Sequence, residues 1–231
     1  MDKQYNVTNR SNSQVIYTIP ELNLRREFMP RETKRVSYDE LEKLSYRPGG
    51  MVTLSEYLQV EDIEALGTLD LIRRAKIDIE TVSITGKKEV LTQSKVYVLA
   101  DKLIEEVDLD EYSFLIIPGG AAIMKTHLNS PITESIVTYF YNKNLLIGCI
   151  CAAPSVLGKY GMLENKKYTC FPSFEKLVVG GTYLPDEKVV VDENIITSKA
   201  AGTTFEFAYE ITKYLKSESI ANHIKEAVFY N

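Results

Sequence analysis

The chain offers three cysteines, Cys149, Cys151 and Cys170, and the surroundings of one suit a reactive thiol. The stretch Leu145-Leu-Ile-Gly-Cys-Ile-Cys-Ala-Ala-Pro154 passes from an apolar run into small residues and then a proline. That pattern predicts a buried strand, a sharp turn and a helix, with Cys151 at the junction. Open α/β sheets place their sites at the carboxyl edge of the strands. A helix N-terminus there would favour thiolate over thiol. Cys151 is therefore a candidate nucleophile or oxidation sensor. From position alone, the competing reading is a small buried apolar side chain.

Cys149, inside the strand, and Cys170, in Tyr168–Phe171, read as core residues. Cys149 and Cys151 make a C-x-C without a second pair, and the chain has only two histidines, so no zinc site is expected. His127 reads as a loop residue and His223 as part of a C-terminal helix.

The elements that must position Cys151 follow from periodicity. Glu61–Ala75 carries Ile63, Leu66, Leu69 and Ile72 along one side and predicts a helix. Ile77–Ile84 and Lys95–Ala100 are β-rich runs. Phe114–Ile117 is wholly apolar and ends in Pro118-Gly119-Gly120. Ser130 with Pro131 opens a helix to about Lys143. A further helix covers Ala153–Tyr160. Val189–Val191 and Ile195–Ser198 flank Asp192-Glu-Asn as a hairpin. Thr203 and Glu206 read as a capping box opening a helix to about Lys216, and Asn222–Tyr230 as a last helix. Continuous apolar strands alternating with helices predict a parallel sheet covered on both faces.

The first 50 residues stand apart. Six of the eight arginines lie there, against three lysines, and the segment is net +2 while the remainder is −7. Val15–Ile19 predicts a short strand, Ser37-Tyr-Asp-Glu40 a capping box opening a helix through Leu44, and Pro48-Gly-Gly50 a boundary. The chain thus reads as an N-terminal appendage, 1–50, and an α/β domain, 51–231. The 231 residues are 45% hydrophobic and 26% charged, with net charge −5, which fits a globular protein and argues against general nucleic-acid binding. No apolar run reaches membrane-spanning length, and no secretory signal opens the chain, so a cytoplasmic protein is expected.

Residues from about 61 to 231 resemble the ThiJ/PfpI superfamily, in its protein-deglycase and oxidative-stress branch. The resemblance rests on Glu61-Asp-Ile-Glu-Ala65 with Arg73-Arg-Ala75, Ile116-Ile-Pro-Gly-Gly120, Ile150-Cys-Ala-Ala-Pro154, Thr197-Ser-Lys-Ala-Ala-Gly-Thr-Thr-Phe-Glu206 and Ala227-Val-Phe-Tyr-Asn231. It implies a flavodoxin-like, doubly wound, mostly parallel sheet. It implies that Cys151 is the reactive cysteine and that Glu64 hydrogen-bonds its sulfur. Without the resemblance, Glu64 reads as a solvated residue of a helix's first turn. Backbone N–H groups of Gly120 and Ala152 would form an oxyanion hole, with Gly119 in the same turn. No cofactor is implied. The partners implied are a small dicarbonyl or a glycated protein, and a second copy of the chain in a homodimer.

Two departures restrict the chemistry. Ala152 stands where peptidase-like relatives have histidine, so peptidase activity is not expected. Phe171 stands where some deglycase-branch members have another. At the other end, Leu54–Val60 lacks the family's glycine loop and carries Tyr57 and Leu58 instead, so residues 1–58 look unrelated. Met51–Leu58 either forms the first strand or belongs to the appended unit, which would displace Glu64. The expected activity is a cysteine-based glyoxalase or deglycase. The alternative is a redox sensor or chaperone that oxidises Cys151, with 1–58 as a partner-binding or assembly module of a chimera.

Overall fold

The computed structural model describes residues 4–8, 15–37, 40, 62–94 and 96–230. The chain divides into two units, Met1–Tyr57 and Leu58–Asn231.

In the first unit, β1 (Gln4–Thr8) pairs antiparallel with β4 (Thr33–Ser37), and β2 (Val15–Ile19) with β3 (Leu24–Phe28). Ile19, Phe28 and Val36 supply buried apolar side chains. The buried carboxylate of Glu40 accepts two hydrogen bonds from Arg26, at 2.8 and 2.5 Å, and one from the Tyr17 hydroxyl at 2.7 Å. Ser37 Oγ accepts from the Glu40 N–H at 3.2 Å, as a capping residue does. The remainder of the expected helix to Leu44 lies outside the described residues, as does Met51–Leu58.

The second unit centres on a four-stranded sheet whose strands lie in the order Val189–Asp192, Ile195–Ser198, Leu146–Ile150 and Phe114–Ile117. β9 (Phe114–Ile117), β10 (Leu146–Ile150) and β14 (Ile195–Ser198) run parallel, and β13 (Val189–Asp192) joins β14 as an antiparallel hairpin. All five residues of β10 are buried, and they alternate between the faces. Ile147 and Cys149 pack with Val137 and Phe140 of α2 (Pro131–Asn142) and with Val156 and Leu157 of α3 (Pro154–Lys159). Leu146 and Ile150 pack on the other face with Ile72 of α1 (Thr68–Arg74) and Phe207 and Ile211 of α4 (Thr204–Leu215). Each such large side chain, taken wholly out of water, contributes about 2 kcal/mol. A side chain at Gly148 would stand 3.1 Å from Phe207 Cζ, so glycine admits that ring. This is the flavodoxin-like α/β architecture, with helices on both faces.

Several expected elements take another form. Only Val82–Ser83 of the Ile77–Ile84 run is a strand (β5), pairing parallel with β8 (Lys102–Leu103). The Ile77 N–H is spent on the Ile72 carbonyl, closing the helix, and Thr81 bonds the Asp101 carboxylate through its N–H and its hydroxyl. Tyr97–Leu99 (β7), from the second β-rich run, pairs antiparallel with β6 (Glu89–Leu91) rather than joining the parallel sheet. The capping box at Thr203 and Glu206 does not form. The Thr203 hydroxyl instead meets Ser198 Oγ at 2.7 Å and the Ala200 carbonyl at 2.7 Å, while Glu206 pairs with Lys188. The last helix, α5 (Glu218–Ala227), starts earlier than its apolar pattern suggests because Ser217 caps it, accepting from the Ile220 N–H.

Candidate active site

Two turns meet at the carboxyl edge of the sheet. β10 ends at Ile150, and Cys151 follows with φ 64°, in the left-handed region. A non-glycine residue there costs of order 1–3 kcal/mol and persists only where its neighbours fix it. Here the Cys151 N–H donates to the Ser198 carbonyl at 2.9 Å, and its carbonyl accepts from the Phe171 N–H at 2.8 Å. Ala153 N–H returns to the Ile150 carbonyl, and Ser155 bonds the Ala152 carbonyl through both N–H and Oγ. The small side chains of Ala152 and Ala153, both buried, fit this closed turn.

The turn after β9 faces it. A side chain at Gly119 would stand 2.6 Å from Cys151 Cβ and 2.6 Å from Glu64 Oε2, so only glycine fits there. Gly120 has φ 84°, which glycine adopts without cost. The turn that carries Glu64, Ile63–Gly67, is π-helical and leads directly into α1. Such bulges re-aim side chains and recur at functional sites. A side chain at Gly67 would lie 3.1 Å from Thr204 Cγ2, so its absence lets this helix approach α4.

These elements bring Glu64, Gly119, Gly120, Cys151 and Ala152 together. Glu64 is 1% exposed, and its Oε2 accepts the Gly119 N–H at 2.9 Å. Its side chain also hydrogen-bonds the Cys151 thiol, and the N–H groups of Gly120 and Ala152 point to the same sulfur. Gly119 thus serves the carboxylate rather than the sulfur. Glu64 is not the solvated helix residue that its position in the sequence alone suggests.

The expected shift of Cys151 toward thiolate is reversed. Burial, and then the adjacent Glu64 carboxylate, push the thiol up to about 12, and the two N–H groups only partly offset them. The thiol and the carboxyl thus stand in hydrogen-bond contact, with ionisation of the thiol opposed by burial and by the carboxylate beside it.

The other candidates lie elsewhere. Cys149 and Cys170 are wholly buried in the core. His127 ends the π-helical turn Ile123–His127 rather than lying in a loop; its Nδ1 is 3.1 Å from Thr133 Oγ1, and burial lowers its pKa. His223 is exposed on α5. No cluster of three or more metal-ligating side chains occurs among the described residues. No helix among them is long and apolar enough to cross a membrane. The sequence reading missed the Ser198 carbonyl and the Phe171 N–H that hold Cys151 in its turn. Backbone partners leave no mark in a motif, although the apolar run ending at Ser198 could have placed that residue beside β10.

A doubly wound sheet with a cysteine on a strained turn and a facing glutamate defines a class, and the family comparison agrees. Residues 52–214 match the DJ-1/PfpI family model, and the chain belongs to that family. The match opens at residue 52, so it takes in 52–58, ahead of the motifs on which the resemblance rests. The chain is similar to protein DJ-1alpha of Drosophila melanogaster, 33% identical over 172 residues, covering 74% of this chain and 79% of the relative. It is also similar to the glutathione-independent glyoxalase DJ-1 of Schizosaccharomyces pombe, 30% identical over 177 residues, covering 73% and 92%. The crystal structure of Drosophila melanogaster DJ-1beta superposes with a TM-score of 0.71 at 29% identity, covering 75% of this chain and 94% of that one.

Proposed function

We propose that the Leu58–Asn231 unit is a cofactor-independent glyoxalase acting on 2-oxoaldehydes or their adducts on protein. The reading rests above all on a partly exposed Cys151 whose thiol is hydrogen-bonded to buried Glu64 beneath two converging N–H groups. The glyoxalase activity in the name of the fission-yeast relative supports the same reading.

The chemistry needs only the proton the pair already holds. Sulfur attacks the aldehyde carbon while its proton passes to Glu64. The new oxyanion is received by the N–H groups of Gly120 and Ala152 and then protonated from Glu64. Glu64 next removes the hydrogen on the former aldehyde carbon as a proton and returns it to the neighbouring carbon, while the hydroxyl proton on the first carbon's oxygen passes to the neighbouring oxygen, so that the first carbon becomes a carbonyl and the second carries the hydroxyl. The product is a 2-hydroxyacyl thioester on Cys151. Water cleaves the carbon–sulfur bond, releases the 2-hydroxy acid and restores the thiol. One aldehyde and one water give one hydroxy acid, with no external oxidant or reductant. Methylglyoxal would yield lactate.

The test is lactate formation from methylglyoxal by the purified full chain, followed by proton NMR. Cys151→Ala is expected to lower the rate by about 10³-fold or more. Equal rates in the two proteins would end the proposal. A sensor role for Cys151 is the weaker reading, because the glyoxalase activity in the fission-yeast relative's name speaks for catalysis.

A further inference from the structure

Two observations around Cys151 bear on what it admits. The first is charge. Among the described residues, Glu64 is the one charged side chain acting on the sulfur, the other contributors being backbone N–H groups. A substrate bearing its own carboxylate would meet that acidic group, with no cation among the described residues acting on the sulfur. The second is the position of Phe171. Its N–H bonds the Cys151 carbonyl at 2.8 Å, so the residue stands one hydrogen bond from the nucleophile's backbone. Its ring sits edge-on to Phe174 at 6.4 Å, yet the residue remains 43% exposed. The segment that carries it is fixed to α3. A side chain at Gly158 would come within 2.6 Å of Val178, so glycine there lets Val178 pack against the helix that follows Cys151.

We infer that Phe171 is a specificity-determining residue and that the site prefers neutral 2-oxoaldehydes with an aromatic or branched apolar substituent over small or anionic ones. The inference rests on the glyoxalase reading. A phenyl ring cannot relay a proton, as a histidine at that position could. It can cover an apolar substituent and remove it from water. Contacts of that size change kcat/KM by roughly tenfold.

The experiment compares kcat/KM of the full chain for phenylglyoxal, methylglyoxal and the anionic 4-carboxyphenylglyoxal, in the wild type, Phe171→Ala and Phe171→Leu. The wild type is expected to favour phenylglyoxal over methylglyoxal by about tenfold and over 4-carboxyphenylglyoxal by more. Phe171→Ala should lower the phenylglyoxal-to-methylglyoxal ratio roughly tenfold, chiefly through KM for phenylglyoxal, and Phe171→Leu should restore part of it. An unchanged ratio in Phe171→Ala, or 4-carboxyphenylglyoxal used as well as phenylglyoxal, overturns the inference while leaving the glyoxalase reading standing. Should the wild type consume neither aldehyde faster than Cys151→Ala, the glyoxalase reading itself fails.

Discussion

Each unit of this chain buries a glutamate, both 1% exposed, and the two are built for opposite ends. Glu40 meets a guanidinium and a phenol. Burial pushes its carboxyl up, but the hydrogen bonds from Arg26 and Tyr17 outweigh burial and hold it below the usual carboxylate range. Glu64 meets a thiol and a backbone amide. Burial and the Glu64 carboxylate together push the neighbouring thiol up. The same side chain at the same burial is thus held as an ion in one unit and, in the proposed reaction, carries a proton in the other. The partner decides, because a guanidinium cannot give up its proton in a protein and a thiol can.

The contrast breaks most severely at Glu64. Glu64→Gln keeps the carbonyl that accepts from Gly119 but cannot take the thiol proton. It should lower kcat for dicarbonyl turnover by roughly 10²- to 10⁴-fold while leaving the melting temperature close to that of the wild type. Full activity in that variant would show that Glu64, like Glu40, serves only the fold.

Gly119→Ala comes next. Its new methyl group would crowd both Cys151 Cβ and Glu64 Oε2 at 2.6 Å. A misplacement of that order costs about 10²-fold in rate. The rate should fall without a matching fall in Cys151→Ala-type residual turnover, and a neutral substitution would mean the two turns do not need their close approach.

The corresponding change at Glu40 should appear in stability. Arg26→Met leaves the buried carboxylate without its guanidinium and is expected to destabilise the Met1–Tyr57 unit by about 3 kcal/mol. Urea unfolding followed by hydrogen exchange of peptides from that unit would read it. The double variant Arg26→Met/Glu40→Leu should recover much of the loss. No recovery would mean that the pair does more than satisfy itself.

The smallest effects are in pH dependence, and the two units should respond in opposite directions. Glu40 has a depressed pKa, so its contribution is present above the ordinary carboxyl range and is lost as pH falls through it. Cys151 has a raised pKa of about 12, so its contribution is present below the ordinary thiol range and is lost as pH rises toward that value. Alkylation of Cys151 by iodoacetamide should therefore keep accelerating through pH 9 and 10. A plateau near the ordinary thiol pKa would show that the carboxylate does not act on the sulfur.

Much of this was legible in the residues. The apolar runs at Phe114–Ile117 and Leu145–Ile150 announced central parallel strands, because only a strand buried on both faces tolerates such continuity. Ser130 and Pro131 announced α2, and Ser130 Oγ does accept from the Thr133 N–H. The small residues around Cys151 announced a tight turn. Other signals misled where local pattern lost to a tertiary partner. Thr203 has the right spacing to Glu206 for a cap, but Ser198 and Ala200 claim its hydroxyl. The run Lys95–Ala100 has β character that says nothing about which strand it joins.

What the sequence alone determined is the inventory: strands that must be covered on both faces, a cysteine at a strand–helix junction, glycines at the facing turn, and no histidine beside the thiol. What only the tertiary structure decided is the state of the thiol's surroundings, which push its pKa up. That state depends on Glu64 reaching Cys151 across 87 positions of chain, on Gly119 having no side chain to block it, and on the water both groups have lost. Burial and proximity set a pKa, and neither is a property of a residue until the chain has folded.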